Sequence, residues 1–127
     1  MGSAEARRRD DDTLEIVWIG HITVADVERL VSELERAPGR ARYLIVDARS
    51  VTGFDVAARA EGPRLVQVLR DQGMERMVAV SSSTLVRIAG SAVALVTRTR
   101  LEFADSLAAA DRLLEQHRAT AHTPVGA

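Results

Sequence analysis

Asp47 and Asp55 are the carboxylates best placed for chemistry, one closing an apolar run and the other opening a helical one. Brought together at the carboxyl end of a sheet, where open α/β folds bind ligands, two such groups can do acid–base work. The plainer reading makes Asp47 a strand-end turn residue and Asp55 a helix cap, and that is the expectation adopted. His21, His117 and His122 are scattered, with no i, i+4 partner and no acid at metal-ligand spacing, so no metal is expected. Ser81-Ser82-Ser83-Thr84 opens a helix and could offer backbone N–H groups to a phosphate. A phosphate loop, however, needs glycines and usually a lysine, which are absent, and helix capping explains the serines. Arg87, one turn further on, is the side chain to watch if an anion binds. No serine has a histidine base at a recognisable spacing, and the chain has no cysteine to act as nucleophile or thiolate ligand. No catalytic residue and no cofactor is therefore expected.

Composition narrows the partners. A net charge of −1 gives no nucleic-acid footprint. All 17 basic residues are arginine, read as codon bias. The aromatics are Trp18, Tyr43, Phe54 and Phe103, too few for a base-stacking platform. The segment Met1 to Asp12 has no apolar stretch of a secretory signal, and Leu85 to Val96, interrupted by Arg87, is too short to span a bilayer. A cytoplasmic protein with no membrane span is expected. At 127 residues the chain fits one domain.

These candidates sit on an alternation of strands and helices. Leu14 to Ile19 reads as a strand ended by Gly20, and Thr23 with Asp26 reads as the capping box of a helix carrying Val27, Leu30, Val31 and Leu34 on one face. Pro38-Gly39 stops that helix. Tyr43-Leu44-Ile45-Val46 and Met77-Val78-Ala79-Val80 are apolar on both alternating faces, as strands buried in a parallel sheet are. Between them a loop from Ala48 to Phe54 leads to Asp55 and a helix that Pro63 kinks or restarts and Gly73 closes. A third helix covers 84–98 and is apolar over more than half its circumference. Leu101 to Phe103 is a short strand, and Asp105 caps a last helix with Leu107, Ala110, Leu113, Leu114 and His117 inward. Arg7-Arg8-Arg9 with Asp10-Asp11-Asp12 reads as a self-cancelling solvated tail or edge turn, able to add an antiparallel pairing. Residues 1–12 are thus a flexible or edge-strand segment, 13–118 the domain and 119–127 a disordered tail. The fold class is α/β, a mostly parallel sheet of four to five strands with four helices.

Three stretches resemble the STAS domain, and more narrowly the stand-alone bacterial proteins similar to stage II sporulation protein AA. They are Val17-Trp18-Ile19-Gly20-His21-Ile22-Thr23, Leu44-Ile45-Val46-Asp47 with Val51-Thr52-Gly53-Phe54-Asp55, and Phe103-Ala104-Asp105-Ser106-Leu107-Ala108-Ala109-Ala110. The likeness runs from Leu14 to Gln116. It implies a STAS-like domain acting as an anti-sigma-antagonist-like regulator rather than an enzyme. It also implies a protein partner docked on the loop and helix start after the second strand, here Thr52, Gly53, Phe54, Asp55, Val56, Ala57, Ala58 and Arg59, with Arg59 and Arg64 as rim charges. Asp55 matches the family's aspartate. The hydroxyl and glycine that follow it in the family are replaced by Val56, Ala57 and Ala58, which cannot carry a phosphate.

The helix over 84–98 holds a surplus of apolar residues. An alternative function is therefore the binding of a small apolar ligand or lipid in a groove beside it. Arg87, Ser91, Ala94 and Leu95 mark that ligand surface, or a homodimer contact.

Overall fold

The computed structural model describes residues 2–37 and 40–121. The expected helix stop at Pro38-Gly39, His122 and most of the expected tail lie outside the described residues. Among those described, five strands form one sheet in chain order: β1 (Ser3–Arg8), β2 (Thr13–Ile22), β3 (Tyr43–Phe54), β4 (Arg76–Val80) and β5 (Arg100–Ala104). β1 runs antiparallel to β2, and the remaining pairs are parallel.

The helices are α1 (Val24–Arg36), α2 (Val56–Ala60), α3 (Gly62–Asp71), α4 (Thr84–Thr97) and α5 (Leu107–Ala121). α2 and α3 are the single expected helix, interrupted at Glu61 and restarted with Pro63 in the first turn, where its missing N–H costs nothing. When strand order equals chain order, right-handed crossovers put every connecting helix on the same face of the sheet. α1, α2, α3 and α4 accordingly share one face, and α5 takes the other.

The crossover face carries Leu14, Ile16, Trp18, Leu44 and Met77 against Val27, Leu30, Val31 and Leu34 of α1 and Leu65, Val66 and Leu69 of α3. Each fully buried aliphatic side chain there stabilises the fold by roughly 1.5–3 kcal/mol. α1 is set by its capping box: the Thr23 hydroxyl accepts the Asp26 N–H at 3.3 Å, and the Asp26 carboxylate accepts the Thr23 N–H at 2.9 Å. That backbone bond holds the Asp26 carboxyl below its ordinary range. The opposite face carries Tyr43, Ile45, Val78 and Val80 against Ala110 and Leu114 of α5.

Two strands are longer than the sequence suggests. Gly20 does not end β2; at φ +77° it absorbs a register shift, and pairing resumes with His21 opposite Gly53 and Ile22 opposite Phe54. The expected loop Ala48 to Phe54 is likewise strand, the second half of β3.

The Arg7–Asp12 segment is an edge strand and turn whose charges go to structure rather than to solvent. Glu15, 2% exposed, receives Arg7 at 2.7 Å and Arg9 at 2.8 Å. Arg9 reaches on to Asp111 of α5 at 2.8 Å. Arg118 of α5 returns the contact, pairing with Asp12 at 2.8 Å and Asp10 at 3.2 Å while its guanidinium lies over the Tyr43 ring. The Arg118 hydrogen bond pushes the Asp12 carboxyl down to about 2.

Candidate functional site

The segment singled out from the sequence lies where β3 ends and α2 begins. Thr52, Gly53 and Phe54 close β3, Asp55 is extended, and Val56, Ala57, Ala58 and Arg59 form α2. Val56 is 83% exposed, Ala57 and Arg59 are exposed, and only Ala58 is buried. Asp55 occupies the N-cap position without capping: its side chain makes no bond to α2. Its Oδ1 instead meets His21 Nε2 at 2.6 Å across the β2–β3 pair. Gly53 makes the space for that imidazole, since a Cβ there would sit 3.0 Å from His21 Nδ1.

The two candidate aspartates have separate partners. Asp47, buried, holds Arg49 through two bonds of 2.9 Å, and this pairing depresses its pKa. Asp55 holds His21. His117 contacts Glu102, joining α5 to β5. Among the described residues no group of three or more His, Cys, Asp or Glu side chains is arranged to hold a metal.

The serine cluster caps. Ser83 accepts the Val86 N–H at 3.4 Å, and the buried Ser81 hydroxyl accepts the Ser83 N–H at 3.0 Å. Arg87 is engaged locally, donating to Asp105 at 3.2 Å and lying over the Phe103 ring. α5 begins at Leu107, so Ser106 rather than the expected Asp105 takes its N-cap position, accepting the Ala109 N–H at 3.1 Å.

A cavity of about 550 Å³ opens between the crossover face of the sheet, α2, α3 and α4. Its floor is Ile16, Trp18, Leu44, Val46 and Met77, its wall on α4 is Val86, Ala89, Gly90, Val93 and Val96, and its mouth includes Phe54, Val56 and Arg59. The small residues of α4 make this space, and Gly90 lets the helix approach Leu101 and Phe103. Arg87, Ser91, Ala94 and Leu95 do not line it: the cavity lies on the inner side of α4, whereas Leu95, 80% exposed, points outward with Leu85 and Ile88. Sequence reasoning missed Trp18 and Val46 as lining residues because they read as ordinary core. The run of Ala89, Gly90 and Ala92 beside bulky neighbours was the available signal.

A polar groove of about 620 Å³ lies on the α5 face, among Arg7, Arg9, Asp10, Glu15, Asp111 and Arg118. Its charges largely pair with one another.

No protein-family model and no curated protein matches this chain. Solved structures do match. An uncharacterized DUF3478-family protein with a SpoIIAA-like fold, from Shewanella loihica PV-4, superposes with a TM-score of 0.66 at 20% identity, over 88% of this chain and 93% of that one. The anti-sigma factor antagonist SpoIIAA in its unphosphorylated form gives 0.63 at 14% identity, over 91% and 98%. The Bacillus cell fate determinant SpoIIAA in its phosphorylated form gives 0.65 at 16%, over 87% and 99%. The chain thus has the SpoIIAA-like α/β fold that its motif order implied. Among the described residues, no helix is long and apolar enough to cross a membrane.

Proposed function

We propose that this chain is a non-catalytic, STAS-type interaction module of bacterial regulation that docks a protein partner through Val51 to Arg59. The observation carrying the reading is Val56, 83% exposed at a helix start between the His21–Asp55 pair and Arg59. An apolar side chain flanked by charges offers both the buried anchor and the polar rim that interfaces use. Val56, Ala57 and Ala58 carry no hydroxyl, so in this reading docking is not switched by phosphate at the helix start. Affinity purification with the parent and with Val56→Asp tests it. The variant should lose a partner that the parent retains, and an unchanged partner set removes the reading. The outward row Leu85, Ile88 and Leu95 of α4 is assigned in the same reading to a second copy of the chain. Light scattering over a concentration series checks that contact, and a monomer mass throughout rejects it.

The cavity favours a second reading, the binding of a small apolar ligand. A volume of about 550 Å³ lies in the usual range of small-molecule sites, and the lining is overwhelmingly aliphatic. Native mass spectrometry should find a co-purified apolar molecule or uptake of an added one. Neither appearing would dismiss it.

A further inference from the structure

We propose that the cavity takes a single-chain aliphatic carboxylate, its tail laid against the sheet and its head group on Arg59 at the mouth. The inference rests on the cavity reading above and names the chemistry of the occupant. Among the described residues lining the cavity, Arg59 is the one charged side chain. No ion pair or side-chain hydrogen bond engages it among the described residues. Its neighbours differ in this respect: Arg64 faces Glu61 at 3.5 Å and Glu35 at 3.8 Å, and Arg70 donates to the Thr97 carbonyl.

An uncommitted guanidinium beside an apolar space selects the sign of the ligand's head group. A cationic amphiphile meets repulsion there, and a neutral alcohol leaves the charge unmatched. A carboxylate accepts two parallel N–H bonds from the planar fork, the geometry guanidinium groups favour. The aliphatic floor and the small-residue wall of α4 exclude a polar occupant, because burying its groups without partners is costly.

Trp18 is the sole tryptophan and lies on the cavity floor, so its fluorescence reads occupancy directly. The full chain and its Arg59→Gln variant are titrated with dodecanoate, dodecan-1-ol and dodecyltrimethylammonium, each below its micellar concentration, and separately with phosphatidylglycerol vesicles. The parent should bind dodecanoate about tenfold tighter than the alcohol, the margin expected of a bidentate contact weakened by the solvent exposure of Arg59. R59Q should lose that margin and keep the alcohol affinity. Equal binding of acid and alcohol by the parent, or a margin that survives in R59Q, overturns the carboxylate assignment while the cavity reading stands. No uptake of any of the three overturns the cavity reading and this inference with it. A response only to phosphatidylglycerol vesicles assigns Arg59 to a lipid surface and likewise overturns the inference.

Discussion

His21 and Asp55 meet across two parallel strands, Nε2 to Oδ1 at 2.6 Å, and the contact takes Asp55 away from the helix it precedes. Both side chains are about half exposed, so the pair contributes little to global stability. Its effect is on placement: it fixes the start of α2, and with it Val56. We expect Asp55→Ala to shift the urea midpoint by less than about 1 kcal/mol equivalent while raising hydrogen exchange in α2. A large global loss, or unchanged exchange, would show that the pair does not hold α2.

The buried Glu15 lends itself to a paired comparison. Arg9→Ala leaves that carboxylate, 2% exposed, with one guanidinium and frees Asp111, and it should cost about 2 kcal/mol. Glu15→Leu removes the buried charge itself and should stay within about 1 kcal/mol of the parent. Denaturant unfolding of the two variants measures the difference, and the reverse order would refute the account.

The acid limb of the stability profile follows from Asp12. Its folded pKa, about 2, lies below the ordinary 3.8, so its stabilisation is complete above about pH 4 and is lost as pH falls towards 2. The full linkage for that shift is about 2 kcal/mol, reduced to about 1 kcal/mol because Asp12 keeps 32% of its side chain in solvent. Asp26 and Asp47, both depressed, add in the same direction. Urea midpoints from pH 6 to pH 2 should fall less steeply in Arg118→Gln than in the parent. Parallel curves would count against the assignment.

Gly62 opens α3 where α4 crosses it, and a Cβ there would lie 2.9 Å from Val93 Cγ2. Val93 is β-branched and stiff, so Gly62→Ala should destabilise by about 1–2 kcal/mol despite the better helix propensity of alanine. A gain in stability would mean that the helices part freely.

The cavity also makes a prediction about filling. Ala89 lines its α4 wall and is only half-buried, so Ala89→Leu has room to enter. It should raise the melting temperature by the equivalent of about 1 kcal/mol and abolish the Trp18 response to dodecanoate. Loss of stability would indicate a space that is already packed.

The sheet was readable where strands are covered on both faces and paired on both sides, as at Tyr43 to Asp47 and Met77 to Val80. The second half of β3 was not. Residues 50–54 pair with β2 alone, so their pattern carries Ser50, Thr52 and Gly53 and reads as a loop. The His21–Asp55 contact joins residues 34 apart through the bulge at Gly20, which no local periodicity reports. Residue type marks Asp55 and Asp105 alike as caps, and each departs for its own reason. Asp55 sits at the cap position but its carboxylate goes to His21, whereas α5 starts one residue later than expected and Ser106 caps it. The small residues Ala89, Gly90 and Ala92 signal a space beside α4, but its volume depends on how far the helix stands from the sheet, which residue order alone does not encode.

Arg118 and Asp12 are separated by 106 positions and joined by a pair of bonds. During synthesis the acidic turn emerges long before its counter-charge does, and for that whole interval Tyr43 and its neighbours lack their covering helix. The nascent sheet is therefore open on one side until α5 has been made, and a ribosome stalled before that helix would present the bare aliphatic surface to chaperones.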